Sequence, residues 1–299
     1  MKAIKILTMA ALATAVFASC SSEDELAQSN YPMDNVVRIM TSVDGMNTRA
    51  SYGNSTDKLS SFGFCINNAG NTKYTYDNIK VTKEGSNWNP ATQMFWQNST
   101  TPVDILAYAP YQETTEDANG KVKVFGKTDY AFSVKEDQSN AEDYLSDLIV
   151  YKQTGFKPES DLNTNQAVNV AFTHLLSQLN LTIELRDQFN QDEKKPVTSA
   201  TVTDVKVDGT FIRSKVNFAA DPISVQIGGT QVPKAITPET VAFTKADKTT
   251  DHATFKYSAI VIPQWIRAGV FCISFKVNGN DYIWTSTSDV NFVSGKKHD

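Results

Sequence analysis

The chain has 299 residues, with 28 Lys and Arg against 33 Asp and Glu, and a formal net charge of -5. That acidic balance, with no basic run longer than Lys296-Lys297, lacks the electrostatic footprint of a nucleic-acid binder. Its three cysteines cannot form a dense disulfide framework, and past the first 25 residues no segment approaches the ~20 apolar residues of a membrane span.

Residues 1–19 read as a lipoprotein export signal. Lys2 and Lys5 supply the basic start, Ile6 to Phe17 the short apolar run, and Ala18-Ser19 the small residues before Cys20, while Phe17 departs from the leucine usual in a lipobox. Cleavage before Cys20 would free a thiol and an α-amino group for acylation, and acyl chains contribute about 0.8 kcal/mol per buried methylene. Residues 20–33, polar and aperiodic with Glu23-Asp24-Glu25 and Pro32, form a tether.

The remaining body alternates apolar and polar residues in short runs broken by Gly, Asn, Asp and Pro, which predicts an antiparallel all-β sandwich protein. The first run, Asn35 to Val43, sets Val37, Ile39, Thr41 and Val43 on one face. Further strands are expected at Phe62 to Ile66, Val103 to Tyr108, Val122 to Phe125, Leu148 to Tyr151, Val168 to Phe172 and Leu179 to Leu185. Beyond these come Val202 to Val207, Phe255 to Ile262, Phe271 to Val277 and Asp281 to Thr285. Only Ala141 to Leu145 and His174 to Gln178 read as helical turns. Chain length favours two domains, and the polar, Gly- and Pro-containing stretch from Gln153 to Asn165 divides them into residues 34–160 and 161–299.

No residue pattern for catalysis emerges. His174, His252 and His298 are far apart and belong to no metal motif, there is no GxSxG elbow or phosphate loop, and the acidic pairs fit solvated surface. His174 lies between apolar neighbours as a hydrogen-bonded structural histidine would. Cys65 and Cys272 suit two separate buried thiols, with a bridge between domains as the alternative. Trp88, Trp96, Trp265 and Trp284 suit core or edge positions, the alternative being a platform for sugar rings.

Several stretches in order resemble one family. After the lipobox and tether come Asn47-Thr48-Arg49-Ala50, Ser61-Phe62-Gly63-Phe64, Trp88, Phe95-Trp96 and Asp104-Ile105-Leu106-Ala107-Tyr108-Ala109-Pro110-Tyr111. Asp147-Leu148-Ile149-Val150, the segment from Val170 to Leu179 with its Phe172-x-His174-x-x-Ser177 core, and Phe292-Val293-Ser294-Gly295-Lys296-Lys297 follow. Together they resemble the fimbrillins, the type V pilins and their relatives. The resemblance implies two transthyretin-like, Greek-key β-sandwich domains and no cofactor. It further implies export as a lipoprotein acylated on Cys20, and cutting by an arginine-specific protease between Arg49 and Ala50. Residues 34–49 would then be the removable strand and processing loop, and a strand from the next subunit would take the vacated place. The acidic run after Cys20 resembles the surface-export tag of certain Gram-negative anaerobes, which implies the outer face of the outer membrane. Partners implied are other pilus subunits, the protease and a surface receptor. One departure is the end of the chain: where the family continues into a further strand or pair of strands, this sequence reads Lys296-Lys297-His298-Asp299. Either the sequence is truncated or the subunit accepts a strand without giving one, as a tip component would. The leading expectation is therefore a non-enzymatic pilus subunit or tip adhesin, and the alternative a surface lipoprotein that binds glycan without polymerising.

Overall fold

The computed structural model describes residues 30–44, 51–113, 123–140, 144–186, 189, 197–246 and 252–299. Over these the protein is all-β. The strands of the first half are β1 (Arg38–Asp44), β2 (Ser61–Asn67), β3 (Tyr76–Glu84), β4 (Asn87–Pro90), β5 (Val103–Ala109), β6 (Tyr130–Ser133), β7 (Ile149–Phe156) and β8 (Ala167–His174). A single turn of helix, α1 (Pro158–Asp161), separates the last two. The second half adds β9 (Ser177–Leu185), β10 (Val202–Thr210), β11 (Arg213–Asn217), β12 (Ser224–Ile227), β13 (Lys234–Ile236) and β14 (Glu239–Thr244). It closes with β15 (Ala253–Val261), β16 (Gln264–Ile266), β17 (Cys272–Val277), β18 (Asn280–Thr285), β19 (Val290–Phe292) and β20 (Lys297–His298).

Seven strands make the first sheet, in the order β1-β8-β7-β5-β2-β3-β4, and its two end strands, β1 and β4, curl into contact. The burial patterns explain this arrangement. β2 and β5 are covered on both faces, as central strands must be, while β1 alternates buried and open positions as a strand with a single covered face does. One face of the sheet carries Phe62, Phe64, Ile105, Ala107 and Phe172 into a core that also takes Ile39 and Val43 of β1 and Val37 just before it. The other face presents Cys65, Leu106, Tyr108 and Val150 to Tyr130, Phe132, Val216 and Phe218, so the apolar interior continues into the second half. Gly63 makes that possible: Tyr108 lies opposite it across the β2–β5 ladder, and a Cβ at Gly63 would come within 2.3 Å of the Tyr108 ring. The tight β3–β4 hairpin turns at Gly85-Ser86, with Gly85 at a φ of 62° that few other residues adopt.

In the second half, two four-stranded sheets, β13-β10-β17-β18 and β14-β15-β9-β20, face each other over Val205, Val207, Ile273, Leu179, Phe255 and Tyr257. A three-stranded sheet, β12-β11-β6, and the β16–β19 pair complete it. β8, which lies past residue 160, pairs with strands of the first sheet, and β6, which lies before it, pairs with β11. The change of sheet falls between His174 and Ser177.

Two local expectations are corrected. His174 to Gln178 is not a helical turn: β8 runs to His174 and β9 begins at Ser177, with Leu175 and Leu176 both buried and the Leu175 amide donating to Leu148 O at 2.9 Å. Nor is the described part of Val122 to Phe125 a strand. The amides of Val124 and Phe125 each donate to the Asp77 carboxylate at 2.9 Å, so a side chain replaces a ladder there. The expected turn at Ala141 to Leu145 lies largely outside the described residues, and 3-10 geometry is seen at Tyr144–Ser146.

Candidate functional site

The site is the seat of β1. Along one edge β1 pairs in parallel with β8 over seven positions, from Arg38 opposite Ala167 to Asp44 opposite Thr173. Along the other, among the described residues only its entry is bonded: Val37 donates to Met94 O at 3.0 Å, Trp96 donates to Asn35 O at 2.8 Å, and Val36 bridges Phe95. Past that point the strand faces a cleft of about 440 Å³ against the β3–β4 hairpin, lined by Met40, Thr41, Thr56, Lys83 and Trp88 among others.

The apolar alternation seen in the sequence is what fastens the strand. Val37 is 2% exposed, Ile39 7% and Val43 6%, all three within the first core. Thr41, on the same face, is half-buried, and its Oγ1 has no hydrogen-bond partner among the described residues. Each of the three aliphatic side chains contributes about 1.5 to 3 kcal/mol, so their sum is roughly 5 to 9 kcal/mol. Since whole domains are stable by only about 5 to 15 kcal/mol, the seat cannot stand empty without loss of the fold. Loss of β1 would also strip the ladder from β8.

Ser51 and the residues that follow it are firmly restrained. Ser51 and Tyr52 are buried; the Tyr52 amide donates to Asp147 Oδ2 at 3.0 Å, and Lys58 Nζ donates to Ser51 O at 2.9 Å. His174 completes the clasp, with Nδ1 3.0 Å from Asp147 Oδ1 and Nε2 2.9 Å from Gly53 O. Both partners are oxygen acceptors, so it is the protonated imidazole, with a donor at each nitrogen, that satisfies both. Burial pushes its pKa down, but the Asp147 charge and the two hydrogen bonds outweigh burial and leave it raised, with Lys297 opposing weakly. Asp44 lies opposite Thr173, next to the clasp, so residues 45–50 are bracketed at both ends by β8 and its neighbours. Arg49 and Ala50 lie outside the described residues, as does Cys20.

The sequence reading placed His174 as a bonded structural residue but missed its partners. Asp147, at the start of an apolar run and fully buried, was the available signal. The segment after His174 is also tied to the chain end: Ser294 Oγ donates to Leu175 O at 2.6 Å, Ser177 Oγ donates to Val293 O at 2.7 Å, and Gly295 N donates to Leu176 O at 2.9 Å. Cys65 and Cys272 are free thiols, and burial pushes the Cys65 thiol well up. Of the four tryptophans, Trp96 is buried and Trp88 half-buried, while Trp265 and Trp284 are 54% and 53% exposed.

A family model described as fimbrillin-like matches residues 48–299, most of the chain. The chain belongs to the fimbrillin-like family. Among solved structures it is similar to a proposed cell adhesion protein from Bacteroides uniformis, with 21% identity, coverage of 89% of this chain and 91% of that one, and a TM-score of 0.53. It is also similar to a proposed cell adhesion protein from Bacteroides ovatus, with 15% identity, coverage of 87% and 88%, and a TM-score of 0.60. At these identities the likeness is one of fold. No curated protein matches the chain. The fimbrillin-like match begins at residue 48, past the end of β1, so the strand set apart by its seat lies outside the matched region.

Proposed function

We propose that this fimbrillin-like protein is a non-enzymatic pilus subunit or tip adhesin, held on the outer membrane by lipid on Cys20 and cut after Arg49 by an arginine-specific protease. The cut frees β1, and a strand from another subunit takes its seat beside β8. The observation that carries this reading is the construction of the seat. It has a single-edged parallel ladder, alternating apolar pockets and a cleft on the far side, with the connecting residues 45–50 bracketed by two fixed points. Strand addition uses these elements, ladder bonds for affinity and alternate pockets for specificity. Because Ser51 to Gly53 are clasped by Asp147 and His174, a cut at Arg49 would leave the body of the first sheet anchored at its new end.

The test is N-terminal sequencing of the full-length chain after limited exposure to an arginine-specific protease. A product beginning at Ala50, absent from Arg49→Ala, is expected; cutting only elsewhere overturns the reading. A second reading, a glycan-binding surface lipoprotein, draws on the exposure of Trp265 and Trp284, since exposed indole faces stack on sugar rings. Loss of glycan retention in Trp265→Ala or Trp284→Ala, with no processing at Arg49, would favour it.

A further inference from the structure

The β16–β19 ribbon turns one face inward and the other to solvent. Inside, Ile266 and Phe292 are buried in the second core, and Gln264 is held by both ends of its amide: Oε1 accepts from the Phe211 amide at 2.9 Å and Nε2 donates to Phe211 O at 3.1 Å. The register therefore sends Trp265 outward, with Asn291 directly opposite on the same face. Trp265 is 54% exposed, and the Arg267 guanidinium lies over its ring at 5.9 Å from the centroid, with no other ring or charge packed on it among the described residues. Asp289 closes the same end, where its Oδ1 accepts from the Ala268 amide at 2.9 Å.

The polar groups of this face are free. Among the described residues, the Trp265 indole N–H, the Arg267 guanidinium and the Asn291 carboxamide have no hydrogen-bond or ion-pair partner, although all three surround one exposed ring. Trp284, the other exposed tryptophan, differs: its ring edge packs on Phe271, and its strand neighbours Tyr282 and Ile283 are themselves exposed apolar groups. The chain also leads away from the ribbon, because β20 runs beside β9 from Gln178 to Leu179, away from Ser177, whose Oγ holds Val293 O.

We infer that Trp265 is the stacking surface of a site for a neutral hexopyranose, whose C–H face lies on the open indole face while its hydroxyls bond Arg267, Asn291 and Asp289. A sugar hydroxyl donates and accepts at once, which suits a rim of donors with a carboxylate among them. An apolar chain would cover these polar groups and leave them unpaired, and an anion drawn to Arg267 would meet Asp289. Since the inner face of the ribbon is locked, the platform is ordered before the sugar arrives. The assignment rests on the adhesive part of the proposed function and gives it a ligand; it needs neither the cut at Arg49 nor strand exchange.

The test uses the uncut chain, isotope-labelled, with methyl β-D-galactopyranoside and methyl β-D-glucopyranoside as probes. Binding is read from the indole N–H signals in NMR spectra, that of Trp265 being assigned by its loss in Trp265→Phe. At least one sugar should shift the Trp265 signal saturably and leave those of Trp88, Trp96 and Trp284 in place. Arg267→Ala and Asn291→Ala should each weaken binding by about threefold or more, the effect of one lost hydrogen bond, with the urea midpoint unchanged. Trp284→Ala should bind as the parent does. No saturable shift with either sugar, or tighter binding of methyl β-D-glucuronide, would overturn the assignment. A shift centred on Trp284 would overturn this site while leaving glycan binding as such standing, and none of these outcomes touches the processing reading, which fails separately by N-terminal sequencing.

Discussion

Replacing Ile39 by alanine probes the seat of β1 most sharply, because Ile39 is buried in the first core and lies on the strand that is to leave. The change removes about three methylene equivalents at ~0.8 kcal/mol each, and a residual cavity adds to that, so a cost of about 2 to 4 kcal/mol is expected. The low end of this range applies if the neighbouring cleft lets side chains relax inward. At about 1.4 kcal/mol per tenfold change, β1 of the Arg49-cut protein should be held roughly 30-fold to several-hundred-fold more weakly. The assay is the dissociation of the cut N-terminal segment, followed by gel filtration and mass spectrometry against time, with the exposed Ser42→Ala as control. Equal retention of β1 in Ile39→Ala and the parent protein would refute the argument that alternating pockets hold the strand.

Three further outcomes are expected. Thr41→Val should be neutral or stabilising in urea denaturation, since it replaces a buried hydroxyl without a partner by a methyl group of the same shape. The His174 clasp should make stability depend on pH: its pKa is raised in the folded state, so its contribution is complete below the unfolded value of ~6.5 and is lost as pH rises through the folded value. Denaturation at pH about 6 and about 9 should show the fall, and His174→Gln should flatten it; an unchanged slope in the variant contradicts the assignment. Cys20→Ala should abolish incorporation of a clickable fatty acid, and label persisting in the variant would contradict lipidation there.

The fold was legible where one physical signal dominated. In β1 the strict alternation of Val37, Ile39, Thr41 and Val43 gave both the strand and its buried face, because a strand covered on one side obeys a period of two. The central strands were found as continuous apolar runs, as at Phe62 to Ile66. The short strands β11 to β14 carry little apolar content, with only Val216 and Ile236 wholly buried among them, and their existence depends on partners distant in sequence. The turn after His174 was misread for a related reason: Leu175 and Leu176 are both buried, so no periodicity marks where one strand stops and the next starts. At the site, sequence located the strand and the histidine, but not the Asp147 carboxylate beside it, nor the Tyr52 amide and Gly53 carbonyl, which reach Asp147 and His174 from 95 and 121 residues away in the chain.

The central claim, that β1 occupies an exchangeable seat, is tested most directly by cutting the protein at Arg49 and adding an excess of a labelled peptide spanning Asn35 to Asp44. The account expects the labelled strand to replace the original one, the β8 amides from Ala167 to Thr173 to remain protected throughout, and the uncut protein to take up no label. Failure of the cut protein to exchange its strand, or equal uptake by the uncut protein, would contradict it.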